Sequence, residues 1–417
     1  MKMRMPKNPG TLSVTDLDSR EMLDNPYPRL ARLRASEPVS WAKSREHLRG
    51  SGGYMLTRYE DVLALHGGDD LYSTDLLKHT LFGKFAWVLP PTIRMLMQTM
   101  VFKDDPDHKR LRTLVVHKAF TPKRVAGLAP DIAKIAGQLA DEIEANREVD
   151  LVHQFAVRLP LSVIATLLGV ADADRDRFHQ LVETLGGNSG RRDSRLRGLQ
   201  TARQLAQLFE DLIEDRRRNP DDGLVSELIR AEVEGERLSH KETVAMVFLL
   251  LLAGHDTTAS LISSSVLTLI ENPEQLALLR AQPELLETTA LEELLRYTTP
   301  VACGAPRIAL QDTEICGVPI PRGAQVVGML TAANRDDAVF ENPDALDLHR
   351  KPNKHVSFAY GMHYCLGTHL ARLEGRIALT TLLQRLPNWE LTVPRDRVRF
   401  KSTVSLRGPV KLPVRMY

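Results

Sequence analysis

Cysteine is scarce in this chain: Cys303, Cys316 and Cys365 are the only three in 417 residues. An odd, low count without a secretion signal argues against a disulfide framework and for a reducing compartment. A surplus of either charge is also missing. The 55 basic and 53 acidic side chains leave +2, which argues against non-specific nucleic-acid binding. No hydrophobic run is long. Val244–Ala253 is the longest, half of the about 20 residues that span a bilayer. Met1–Gly10 has no apolar signal region. No Pro/Gly/Ser-rich linker, repeat or low-complexity stretch divides the sequence, so it reads as one large domain. These absences predict a cytoplasmic protein without a membrane anchor.

What is present is an ordinary globular composition, 43% hydrophobic and 26% charged, able to bury a large core. Asn25–Pro28 opens a short helix, and Pro38–Trp41 and Gly53–Leu56 read as a small sheet. From about Asp107 to Arg296 the spacing is mostly helical, as at Leu111, Leu114, Val115 and Phe120. Gly186–Gly190 interrupts that run as a loop between two helices. Ser239 and Glu242 make a capping box for a long helix over Lys241–Asn272, which Pro273 ends. Its first half is apolar nearly all round, so it should cross the core. Beyond Pro300 come short strands such as Gln325–Met329. A final helix over Leu366–Leu386 then carries Leu366, Leu370, Leu373, Ile377 and Leu382 on one face.

Chemistry concentrates just before that last helix, in Phe358–Gly367, which contains Gly361, His363 and Cys365. A thiolate there would face the N–H groups of a helix's first turn, and those donors and the helix dipole stabilise a sulfur anion. Gly361 and Gly367 omit side chains where the backbone turns sharply or lies against something flat. Such a cysteine suits a metal, and thiolate-ligated haem iron is the case that activates dioxygen. Two other readings stay open at this point. His363, Cys365 and His369 could hold zinc, although no common zinc spacing fits, or Cys365 is a buried inert thiol, as Cys303 and Cys316 read.

Within the core helix stands Ala253-Gly254-His255-Asp256-Thr257-Thr258. A mid-helix glycine costs about 1 kcal/mol relative to Ala, and Thr257 can bend the helix by bonding back one turn. Either this is a kinked core helix with a solvated Asp256, or an oxygen-binding notch with a proton relay. Glu293 and Arg296 pair at i, i+3. The same spacing recurs at Glu214/Arg217 and Glu227/Arg230, where a solvated face is the plainer reading. His108 and Arg112, at i, i+4 on the helix begun by Asp105–Asp107, form a cationic face. That face suits a cofactor's carboxylates, or is a surface basic helix.

Together these segments resemble the cytochrome P-450 family of haem-thiolate monooxygenases, in its soluble bacterial form. Phe358-x-x-Gly361-x-x-x-Cys365-x-Gly367 matches the haem signature at every fixed position. Ala253-Gly254-x-Asp256-Thr257-Thr258 matches the oxygen-activation motif, and Glu293-x-x-Arg296 the core pair. The resemblance runs from about Asn25 to the C-terminus. It implies a mainly α fold with small β-sheets, a tail over residues 1–24 and a single domain over 25–417. Haem b would lie between the long core helix and the helix after the cysteine loop.

By resemblance, Cys365 would be the axial iron ligand, with Phe358 near the sulfur and Ala253, Gly254 and Gly367 against the cofactor. His108, Arg112, Arg307 and His363 would meet the propionates, and Asp256 and Thr257 would deliver protons. Substrate would be lined by Leu249, Leu252, Ala253, Val301, Ala302, Cys303 and Val404, with loops 80–101 and 186–190 gating entry. One departure is Pro343-Asp344-Ala345-Leu346-Asp347, which lacks the usual aromatic and basic residues. The third member of the Glu293/Arg296 network is then Arg335 or Arg350. Electrons would come from a ferredoxin and its reductase docking on the cysteine side, near Lys109, Arg110 and Arg372. The expected reaction is hydroxylation or epoxidation of an apolar small molecule, a bacterial polyketide, macrolide or terpenoid. The competing reading is a helical binding or scaffold protein with a Cys/His metal site at Cys365.

Overall fold

The computed structural model describes residues 9–44, 52–79, 94–95, 97–118, 120–146, 148–186, 192–233 and 235–417. Its centre is the long helix read from the capping box. We label the helices that build the site α1 (Tyr59–Gly67), α2 (Asp107–Lys118), α3 (Ala129–Asn146), α4 (Arg158–Leu168), α5 (His240–Glu271), α6 (Ala290–Thr298) and α7 (Thr368–Arg385). At the start of α5 the Ser239 side chain accepts from the Glu242 N–H while Glu242 accepts from the Ser239 N–H, so both orphan donors are satisfied. Pro273 begins the next helix and stops this one.

By length and composition α5 could cross a membrane. Here it packs against α4, α6 and α7 instead. Val244–Phe248 and Ala259–Leu269 are buried, while Leu249, Leu250 and Leu252–Gly254 are less so. That dip in burial marks a space beside the middle of the helix. α7 packs against both α3 and α5, burying Leu370, Leu373, Ala378, Leu379 and Leu382.

A six-stranded sheet flanks the helices. Its strands are β1 (Val14–Asp16), β2 (Val39–Lys43), β3 (Gly53–Leu56), β4 (Tyr72–Ser73), β5 (Arg307–Ala309) and β6 (Gln325–Gly328), in the spatial order β1-β2-β3-β6-β5-β4. β2 and β3 pair antiparallel, with Trp41 opposite Tyr54. β3 and β6 pair parallel, with Tyr54 opposite Val326. A smaller sheet joins Glu148–Asp150, Pro413–Met416 and Trp389–Leu391. The sheets therefore stitch early sequence to late sequence.

The mainly α fold with small sheets is as expected. Part of the stretch expected as a tail is built in: β1 pairs with β2 and Arg20–Asp24 is helical. Residues 187–190 of one expected gating loop, and 80–93 and 96 of the other, lie outside the described residues.

Candidate active site

The space beside α5 is a cavity of about 340 Å³. Leu249, Ala253, Gly254, Thr257 and Thr258 line it from α5, Ile164, Leu167 and Leu168 from α4. Phe358, Cys365, Gly367, Leu370 and Glu374 line it from the cysteine loop and α7. Gly254 permits close approach of α4: a Cβ there would lie 2.5 Å from Ile164 Cδ1.

The cysteine loop is held by its own backbone. Cys365 N donates to Phe358 O at 3.0 Å and Tyr364 N to Gly361 O at 3.0 Å, and Thr368 Oγ1 donates to Cys365 O at 2.8 Å. Gly361 has φ +74°, and a Cβ there would sit 2.3 Å from His66 O, so no other residue fits. The Cys365 thiol faces the cavity. Burial pushes its pKa up, against the Gly367 N–H, the Thr368 hydroxyl and the nearby Arg112 and Arg372 cations, which lower it. The expected stabilising donors are thus in place, yet desolvation outweighs them and the two arginines together. A coordinated metal ion reverses that balance. Among the described residues no group of three or more His, Cys, Asp or Glu side chains is placed to hold a metal on its own. His363 turns to His108 and Thr74 instead, and His369 is exposed. The zinc alternative is therefore not supported.

One end of the cavity collects His66, Thr74, His108, Arg112, Arg307 and His363. The His108 and His363 rings lie against each other at a tilt of 50°, with centroids 4.4 Å apart, and His363 Nε2 lies 3.2 Å from Thr74 Oγ1. Burial, then His108 and Arg307, push the His363 pKa down to about 3. His108 is also lowered, first by burial and then by Arg112, so both imidazoles are neutral donors. Arg307 donates to Asp69 Oδ1 at 2.8 Å and His66 O at 3.1 Å, and its buried Nε has no partner. Burial lowers the Arg112 pKa, with Cys365 opposing. His108, Arg112, Arg307 and His363, read separately in the sequence, converge here.

The relay residues separate. Thr257 faces the cavity and donates to Ala253 O at 2.8 Å. Asp256 is not among the cavity residues; it pairs with Lys401, which also donates to Ser260 Oγ at 3.1 Å. The carboxyl that does line the cavity is Glu374, which sequence reasoning missed. It is 1% exposed, and its Oε1 has no partner. Burial pushes its pKa up to about 8, with a Thr258 hydrogen bond opposing. An acid four residues after Leu370, on the apolar face of α7, was the available signal.

Glu293 and Arg296 are fully buried and paired through two 2.7 Å bonds. Arg350 Nε reaches Glu293 at 3.1 Å, and Asn353 and the Asp347 N–H complete the carboxylate's bonds. Arg350 is thus the third member. Arg335 bonds to Asp344 and Tyr297 O. Glu214/Arg217 and Glu227/Arg230 are more exposed pairs.

Of the expected substrate-pocket residues, Leu249, Ala253, Val301 and Cys303 line the cavity. Ala302 and Val404 do not; they border a separate pocket of about 30 Å³ beside Phe400 and Lys401. Alternation along the extended segment turns Ala302 away from Val301 and Cys303. Leu252 packs against the hydrophobic core and is not among the cavity residues. Of the expected docking cations, Arg110 pairs with Glu242 and Arg372 with Glu292; Lys109 is exposed.

Comparison with known proteins gives a consistent picture. The family model for cytochrome P-450 matches residues 68–412. The chain is 39% identical over 401 residues to the polyketide biosynthesis cytochrome P-450 PksS of Bacillus subtilis (strain 168), covering 95% of this chain and 96% of that protein. The solved structure of PksS superposes with a TM-score of 0.87, at 38% identity and coverage of 96% and 98%. The mycinamicin IV hydroxylase/epoxidase of Micromonospora griseorubida is 38% identical over 392 residues, 93% of this chain and 94% of that one. A structure of the cytochrome P-450 BioI with an acyl carrier protein ligated to hexadec-9Z-enoic acid has a TM-score of 0.84, with 36% identity and coverage of 95% and 99%.

Proposed function

The chain belongs to the cytochrome P-450 family and is a monooxygenase, and from that premise we propose that its substrate is an apolar secondary metabolite of polyketide, macrolide or terpenoid type. The cofactor is haem b, as in its relatives. The residues fit that group on observations of this cavity. The Cys365 thiol faces inward. Arg112 has no carboxylate partner among the described residues, and the Arg307 Nε is buried and unpaired. Unpaired buried donors are rare, and a dianionic cofactor supplies their acceptors. When bound, haem activates dioxygen on a thiolate-ligated iron.

Cys365 would hold the iron through its sulfur. His108, Arg112, Arg307 and His363 hold the carboxylates. Thr257 holds a proton at the cavity face through its hydroxyl, and Asp256, beside Lys401 on the outer side, exchanges protons with it. Glu293, Arg296 and Arg350 brace the loop behind the sulfur. One oxygen atom enters a C–H or C=C bond of the substrate and the other leaves as water, with two electrons and two protons consumed. The residues facing substrate from α4, α5 and the Val301–Cys303 segment are uncharged, and this observation carries the substrate reading. An acyl carrier protein sits on one relative, which adds carrier-bound acyl chains to the candidates. We assign electron supply to a ferredoxin and its reductase and the location to the cytoplasm, and extend the catalytic domain expected over 25–417 back to include β1.

The test is spectroscopic. The purified protein, reduced under carbon monoxide, should give the red-shifted Soret band of a thiolate-ligated haem. A library of macrolides, linear polyketides, terpenoids and acyl carrier thioesters should then include compounds that displace the sixth ligand. If only charged or small polar compounds do so, the substrate reading fails.

A further inference from the structure

We infer that His66 is a further hydrogen-bond donor to a haem carboxylate, beside the set legible in the sequence; this rests on the haem reading above. His66 sits in the last turn of α1 and is 3% exposed. It lines the cavity, and its Nε2 has no partner. Two glycines make room for the ring. A Cβ on Gly304 would lie 2.3 Å from its Cε1 and 2.6 Å from its Nε2, and one on Gly328 3.5 Å from Nε2. The imidazole therefore occupies a space cleared of side chains at the cavity's polar end.

What His66 Nε2 and Arg307 Nε lack, among the described residues, is an acceptor. Arg307 is anchored to the His66 carbonyl at 3.1 Å, and its own Nε is also orphaned and buried. Two unpartnered groups, one on α1 and one on β5, thus border one cavity. Burial and then Arg307 push the His66 pKa down to about 4, so the ring is neutral and carries one N–H. A neutral donor beside a guanidinium suits an oxygen anion and not a second cation. Substrate is the poorer occupant, because the surfaces assigned to it are uncharged, whereas Arg112 and His363 share this end.

Haem loss separates this role from mere packing. Haem-loaded wild type, His66→Leu and His66→Gln are mixed with excess apomyoglobin, and the transfer rate is followed. His66→Leu should lose haem about 10- to 150-fold faster, as for a buried hydrogen bond to a charged acceptor, and His66→Gln, which keeps an N–H, within about 3-fold of wild type. Reconstitution with haem dimethyl ester removes the anion, and there the Leu and wild-type rates should agree within about 2-fold. Equal loss from wild type and His66→Leu with ordinary haem overturns the inference. So does a Leu effect that persists undiminished with the ester. A wild-type protein that binds no haem overturns the cofactor reading instead, and this inference with it.

Discussion

Replacing Glu374 by Gln should stabilise this protein at neutral pH, and the size follows from its burial. In the fold its pKa is pushed up to about 8, against an ordinary value of 4.5. The sign is fixed by linkage: the native state keeps its proton where the unfolded chain has released it. Stability is therefore fully present below pH 4.5 and is lost as pH rises towards 8, at about 1.4 kcal/mol per pH unit. At pH 7.5 the accumulated loss is about 4 kcal/mol, a large share of a typical net stability of about 5–15 kcal/mol. Because the carboxyl is fully buried, solvent screening does not reduce it. Gln keeps the shape, offers an acceptor and donor to Thr258, and cannot ionise. Urea unfolding of the haem-free wild type and Glu374→Gln from pH 5 to 8.5 should give curves that converge at low pH. They should separate by about 4 kcal/mol near pH 7.5, and infrared spectra should show a protonated carboxyl band that only wild type has. Parallel curves would refute the reasoning and mean that water or another group already solvates Glu374.

Other perturbations test the rest of the site. Cys365→Ala should abolish the red-shifted carbon monoxide band even where haem is retained, as read by visible spectroscopy. Thr257→Ala should leave haem bound but lower product formed per electron consumed; an unchanged ratio of product to electrons removes Thr257 from proton delivery. Arg350→Ala should destabilise by about 3 kcal/mol, since it strips one cation from a buried carboxylate. Arg335→Ala should cost less, because the carboxylate it leaves behind, Asp344, is exposed. Chemical denaturation of the two variants checks the order.

Particular residues show what a sequence can and cannot carry. The cysteine loop was legible because its constraints are local: Gly361 sits at positive φ against a neighbouring carbonyl, and Cys365 bonds back to Phe358 within the same segment. The capping box was legible for the same reason. Asp256 was misleading because neighbours on a helix point about 100° apart: the arc of α5 that faces the cavity takes in Thr257 and Thr258 and leaves Asp256 to Lys401. Which residues fall on that arc depends on how α5 is rotated against α4 and α7. The choice between Arg335 and Arg350 turned on a contact across 57 positions, which no spacing rule reaches. Glu374 and His66 were missed for a further reason. Glu374 offered only an acid on an apolar helix face and His66 nothing, whereas burial of Glu374 Oε1 and His66 Nε2 without a partner makes both chemically unusual.

The parallel pairing of β3 with β6 has a consequence for biosynthesis. Tyr54 cannot meet Val326, nor can His66 meet Gly361, until most of the chain has been translated. Until then the early strands expose unpaired edges, and the cavity has neither its thiol nor its α7 wall. Loops closed over such separations form slowly, and an incomplete chain with bare edges is prone to aggregate. Cofactor loading is therefore confined to the last stage of synthesis or after release. Production in a host should be limited less by ribosome output than by chaperone capacity and by haem on hand as α7 emerges.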